Sequence, residues 1–349
     1  MRQYCARVCV VLTCGLLGAQ AVRPSPSERQ DKEAALAQRI DLVVHKVQQR
    51  QLRSDEHTPW VIMHSAIAFK SDAVVFDTAS GEGFEAIEYL LMRAKHEGRS
   101  LFQVVDGTPT VRRDPAVEHH VNQYLMMLAL AGVSPQRALL ADTGEQYRVA
   151  QLIDAAKLGF EDEQEVGWTL VALSVYLPSG DEWVGANGRT YTIATVLRRG
   201  MERDPRKEAE GGTHHLFGIS YAVRTYARNH GSLDGVWEEA MEYLNAHVAT
   251  VRRFQLDDGA FSAGMLNERS EPKSPSELVF STGHTLEWLV LAMPGDQLRL
   301  RWVEHAVVRL CAEIERHPLD AFSDGGIYHA VNALRLYRDA VRREEDRPD

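Results

Sequence analysis

"GGTHHLFGISYAVRTY" at residues 211–226 stands just ahead of "LDGVWEEAMEYLNAHVATVRRF" at 233–254, and the contrast between them decides the fold. The first is apolar around most of its circumference, so a helix built from it must be surrounded by protein. The second is apolar on one face at the 3.6-residue period and charged on the other, so its helix can face water. Segments of the first kind recur at 57–69, 118–133, 164–178, 281–294 and 324–337, and segments of the second kind at 32–52, 83–98, 146–160, 190–203 and 297–317. Strict alternation predicts an all-α fold, an (α/α)6 barrel or toroid of six inner and six outer helices. An open solenoid is the alternative, and six pairs without polar caps favour closure. Asp106-Gly107 and Asn187-Gly188, inside strand-like stretches at 101–112 and 182–193, predict small β-hairpin inserts.

The chain has 349 residues, is 44% hydrophobic and 25% charged, and carries a net charge of −10. This is the composition of a globular protein, and the basic residues form no tract, which argues against nucleic acid as a partner. Arg2 and Arg7 precede an apolar run from Val8 to Leu17, followed by the small-x-small pattern Ala19-Gln20-Ala21. We read residues 1–21 as a secretory signal peptide, 22–32 as a flexible lead-in, 33–342 as one domain and 343–349 as a charged tail. No later segment approaches the roughly 20 apolar residues of a membrane helix, so an exported protein without stable membrane insertion is expected. Cys5, Cys9 and Cys14 lie inside the signal, leaving Cys311 as the one cysteine of the mature chain. Internal disulfides and cysteine-rich zinc sites are thereby excluded.

The alternation, together with "RRFQLDDGAFSAG" at 252–264, resembles the terpenoid cyclase and protein prenyltransferase superfamily of α/α toroids. Gln255, Asp258, Gly259 and Phe261 resemble the glutamine-to-tryptophan repeat of squalene and hopene cyclases, with Phe261 in the tryptophan position. The chain also resembles exported bacterial proteins of unassigned function that share "GHTLEWL" and "YHAVNAL" type segments. The resemblance implies the fold alone, because the same barrel serves glycosidases, uronate lyases and lanthionine cyclases. "LDDGAF" is neither the D-x-D-D acid nor the D-D-x-x-D metal motif of the cyclases, so a terpenoid-cyclase-like enzyme would lack its usual Asp motifs. Cys311, on an outer segment, cannot serve as a prenyltransferase zinc ligand.

Of 14 histidines, His57, His64, His119, His120, His214, His215, His284 and His329 fall in the opening turns of inner segments. Parallel inner helices would gather them at one end, around a central cavity whose helix dipoles favour anions. His284, Glu287 and Trp288 at i, i+3 and i+4 share a face, as do His329 and Asn332 with Tyr328 at its edge, and His57, Trp60 and His64. Candidate catalytic residues are therefore His214, His215, His284, Glu287 and His329, for general acid/base chemistry. Candidate ligand-binding residues are His57, Trp60, His64, His120, Trp168, Trp288, Tyr328 and Asn332. No residue is assigned to a metal; zinc gathered by histidines of several inner helices is the one cofactor the pattern admits, without an H-E-x-x-H motif to support it. Gly211-Gly212 is read as a tight turn leading into its helix.

The expected ligand is a small anionic or polyol molecule, such as a uronate-containing glycan, bound in a His-rich cavity by a protein that, if an enzyme, is a lyase or hydrolase. A non-catalytic envelope binding or scaffold protein is the alternative. An open cavity reaching the histidines separates the two, since a scaffold could fill its core with Met126, Met127 and the aromatics.

Overall fold

The computed structural model describes residues 26–345 except residue 163, so the expected signal peptide lies outside the described residues. The described chain is mainly helical, with small sheets at its periphery. The amphipathic segments form α1 (Pro26–Gln48), α3 (Ala86–Met92), α5 (Val149–Leu158), α7 (Ile193–Glu202), α9 (Gly235–Phe254) and α11 (Arg301–Arg316). The apolar segments form α2 (Pro59–Phe69), α4 (Gln123–Leu130), α6 (Gly167–Tyr176), α8 (Thr213–His230), α10 (Pro275–Ala292) and α12 (Asp324–Glu345). Several boundaries differ from expectation, among them those of α4, which begins at Gln123 and leaves His119 and His120 ahead of it, and of α12, which takes in the first residues of the expected tail. The lead-in is helical from Pro26, so α1 takes in most of 22–32. α10 begins at Pro275 rather than near 281, because the Ser274 hydroxyl accepts from the Glu277 amide at 3.1 Å and Pro275 occupies the first helical position. His284 therefore sits in the body of its helix and not at its mouth.

Both expected hairpins are present, at Phe102–Val105 with Thr108–Val111 and at Trp183–Val184 with Thr190–Tyr191. Further small pairings join Ala138–Leu140 to Gln146–Arg148, Lys95–His96 to Arg99–Ser100, and the three short strands Leu52–Arg53, Val74–Phe76 and Gly83–Glu85. These are the strands that "all-α" omits.

Packing separates the two helix classes. α2 packs on α4, α4 on α6, α6 on α8, α8 on α10, α10 on α12, and α12 on α2, while α3, α5, α7, α9 and α11 each lie against their apolar neighbours and α1 against α12 and α11. The "RRFQLDDGAFSAG" loop fastens α9 to α11: the Gln255 side-chain amide donates to the carbonyls of Gly259 and Trp302, each at 2.8 Å, and Asp258 accepts from Arg309. Cys311 is fully buried on α11, where burial pushes its thiol up to about 12 and leaves it unreactive near neutral pH.

Two glycine contacts set the spacing of the apolar helices. A Cβ on Gly283 of α10 would lie 2.7 Å from the Ala330 Cα of α12, and a Cβ on Gly218 of α8 would lie 2.2 Å from the Gly167 carbonyl oxygen of α6. Backbones can approach this closely only without side chains between them. His284 and His329 are the sequence neighbours of the first contact, so the glycine sets how near their rings can come. Gly283→Ala is expected to cost about 1–3 kcal/mol as overpacking in urea unfolding, and to widen the gap between the two rings. A midpoint equal to that of the parent chain would contradict this reading of the contact.

Candidate metal centre

The cavity into which the histidines converge lies at the N-terminal ends of α2, α4, α8 and α12 and beside the middle of α10. Its volume is about 200 Å³, and His64, His119, His120, His214, His284 and His329 all line it. Met126 and Met127 are fully buried in the core yet do not fill this space.

His329 of α12 and His284 of α10 have ring centroids 4.2 Å apart, and His214 of α8 lies 5.4 Å from His284 and 5.5 Å from His329. Each is at most 3% exposed. One ring nitrogen from each falls within 4.8 Å of the others, so the three can hold a metal ion. The surroundings decide which nitrogens are free. His284 donates through Nδ1 to the Phe280 carbonyl at 2.8 Å, one helical turn back. His329 donates through Nδ1 to Glu287 Oε2 at 2.9 Å, and the other oxygen of Glu287 accepts from Asn332 Nδ2 at 2.6 Å. Each Nε2 is then an unprotonated lone pair, the form that binds a cation. His64 is different: its Nδ1 donates to the Trp60 carbonyl at 2.7 Å and its Nε2 faces the Gln123 amide at 3.4 Å, so both of its nitrogens are occupied. His214 is the opposite case, with both ring nitrogens buried and neither partnered.

The electrostatics agree with neutral imidazoles. Burial, reinforced by the neighbouring His329, pushes His284 down to about 3, and burial with the nearby His120 pushes His329 down to about 3. Burial holds His64 and His214 well below the ordinary histidine range. Burial also raises Glu287 to about 7, against the pull of His284 and the Asn332 hydrogen bond. Carboxylates of Glu165 and Glu210 stand at the same end. Neutral imidazoles beside carboxylates make a space that favours a cation over the anion expected from helix dipoles alone.

Comparison of the chain with family models, with curated proteins and with solved structures finds no match. The site is therefore read from its own geometry.

Several expected assignments change on that geometry. Glu287 does not orient His284 on its own helix; it reaches across to His329 and Asn332 of α12. His215 turns away from the cavity toward α7, its Cε1 3.7 Å from where a Cβ on Gly200 would stand, because the residue after His214 is rotated by roughly 100° around a 3.6-residue turn. His57 precedes α2 and accepts the Arg53 amide at 3.1 Å through Nδ1, so only Trp60 and His64 of that trio face the cavity. Trp288 is wholly buried away from it, and Tyr328 packs on Phe69 on another side of α12. Trp168 forms part of the wall behind the cavity, 4.3 Å from His214 and stacked over His329 at 6.3 Å. His120 is half-buried and donates through Nδ1 to Glu165 at 2.9 Å.

Two acids were not anticipated. Glu165 sits two residues before α6, and Glu210 lines the cavity from the turn leading into α8. Glu210, Gly211 and Gly212 all have positive φ, at 50°, 58° and 89°. The glycines supply the tight turn expected of them, and the left-handed Glu210 is a non-glycine residue that the surrounding structure must hold in place. A carboxylate directly before a glycine pair ahead of a histidine was the available signal.

Stability should be acid-sensitive. The unfolded chain takes up protons on its histidines below about 6.5, whereas the buried His64, His214, His215, His284 and His329 resist them, their values being lowered chiefly by burial. Stability present above that pH is lost as it falls. Glu118 and Glu287, raised by burial to about 7, act oppositely, and their contribution is lost as pH rises toward 7. The depressed histidines outnumber these carboxyls, so the urea midpoint is expected to fall between about pH 7 and pH 5. A midpoint that stays level or rises would show that the rings take up protons within the fold.

Proposed function

We propose that this chain is an exported (α/α)6 toroid protein whose central cavity holds a divalent metal, zinc foremost. In this reading the protein acts as a hydrolase or lyase on one group of a small anionic or polyol ligand, such as a uronate unit of a glycan. The observation that carries it is the convergence of His214, His284 and His329, two of them with Nδ1 tied to a carbonyl or carboxylate and Nε2 free. That is the arrangement in which protein-bound zinc is held. A tetrahedral zinc at about 2.1 Å from each nitrogen would set them roughly 3.4 Å apart, so the rings draw together on binding. Three protein ligands leave one position open, which is the catalytic pattern and not the closed structural one.

A bound divalent cation would supply Lewis-acid activation of water or of a ligand oxygen. The chain supplies the rest. Glu287 and Asn332 fix the His329 ring, and Trp168 backs His214. Glu210 lines the cavity with a carboxyl raised by burial, a shift in the direction a general base needs. At about 200 Å³ the cavity is smaller than the roughly 300–1,000 Å³ of pockets that enclose a whole drug-sized ligand, so one end of the substrate enters. The cyclic packing of the six apolar helices supports the toroid. No activity is carried over from the terpenoid-cyclase resemblance. No described helix is long and apolar enough to cross a membrane, and nucleic acid is not among the proposed partners.

The test is to load the full-length protein with zinc and follow a panel of uronate oligosaccharides for unsaturated products and new reducing ends, alongside Glu210→Gln. Zinc-dependent turnover that falls in the variant supports the reading. Zinc binding without turnover of any member favours the non-catalytic binding protein.

A further inference from the structure

Beyond the three-histidine centre, a second group of potential ligands lies beside it. One ligand atom from each of His120, Glu165 and His214 falls within 4.8 Å of the others. His214 belongs to both groups. We infer that the centre is binuclear, with a second divalent cation between His120, Glu165 and His214 and with His214 shared by the two positions. This rests on the metal reading above and extends it.

Unsatisfied atoms carry the inference. Both ring nitrogens of His214 are buried without a partner. A single cation at the first position engages one of them and leaves the other stranded, at a cost of about 1–3 kcal/mol for a buried polar group. The Glu165 carboxylate repeats the pattern: Oε2 accepts from His120 Nδ1 at 2.9 Å, while Oε1 is buried and partnerless. That same bond ties His120 through Nδ1, so its neutral ring presents Nε2 as the lone pair. A cation among these atoms would satisfy Glu165 Oε1 and would replace the remaining ring proton of His214, which is released to solvent so that His214 bridges the two positions as an imidazolate. The mixed imidazole and carboxylate set suits zinc, cobalt or manganese better than a soft thiophilic ion.

The two positions differ in access. The His120 and Glu165 side chains are 18% and 16% exposed, against 2% for His329. The second position therefore lies toward solvent, on the route by which ligand reaches the first. It should exchange faster and bind more weakly. A pair of cations held in this way would present two positive charges to one anionic ligand.

Titration of the apo full-length protein with cobalt(II), read by visible absorption and by elemental analysis after gel filtration, tests this. Two equivalents are expected for the parent chain, one for Glu165→Gln and one for His120→Asn, with less than one for His214→Ala. One equivalent in the parent chain, unchanged by Glu165→Gln, would overturn the second position and leave the first intact. No bound cobalt would overturn both. Two equivalents retained by both Glu165→Gln and His120→Asn would place the second ion elsewhere and equally refute the inference.

Discussion

Replacing His284 or His329 by alanine is expected to weaken zinc binding by more than about 100-fold, the upper end of what losing a ligand's hydrogen-bond partner costs. Both residues present a free Nε2 because Nδ1 is committed elsewhere. His64 is the internal control. It is as buried and is likewise held well below the ordinary histidine range by burial, yet its two nitrogens already have partners. His64→Ala should lower stability while leaving zinc affinity within a few-fold of the parent. Competition against a chromophoric chelator measures all three. Equal losses in the three variants would mean that zinc binding follows general packing and not specific ligation.

Glu287→Ala is expected to cost both stability and metal. It strands two buried donors, His329 Nδ1 and Asn332 Nδ2, at about 1–3 kcal/mol each. Against this, removing a carboxyl raised to about 7 returns at most about 3 kcal/mol, and only where the unfolded chain is ionised and the folded one resists ionisation. That relief is complete above pH 7 and vanishes below the unfolded value near 4.5. The deficit should therefore be larger at pH 5 than at pH 8, with zinc affinity about 10–100-fold lower because the His329 ring loses its anchor. Glu287→Gln keeps one acceptor and should show a smaller loss. Urea titrations at the two pH values decide this, and a variant as stable as the parent at pH 5 would show that Glu287 anchors nothing.

The helical architecture was legible because burial leaves a direct mark on composition: a helix enclosed by protein reads as "HTLEWLVLAM", and one facing water as "VWEEAMEYLNAH". Asp106-Gly107 and Asn187-Gly188 marked their hairpins because positive φ is a local demand. The start of α10 was legible in principle from Ser274-Pro275, but its first turns are half-buried and lack the apolar run that marked the other inner segments. The clustering of histidines was visible, whereas their roles were not. Which nitrogen is free depends on Phe280 and Trp60 carbonyls one turn back and on Glu287 reaching to a different helix. Periodicity places Glu287 beside His284 but carries no information about a neighbour at the distance set by Gly283 and Ala330. Glu165 and Glu210 were missed for a related reason: each sits just outside a helix, where spacing rules do not apply and backbone conformation aims the side chain.

The most direct test of the central claim is X-ray absorption spectroscopy of the zinc-loaded full-length protein, compared with His284→Ala. Imidazole nitrogen scattering at about 2.0–2.1 Å, with multiple-scattering features of several histidines that diminish in the variant, is expected. A shell made only of oxygen, identical in the two proteins, would place the zinc on surface carboxylates and contradict the assignment of His214, His284 and His329 as ligands.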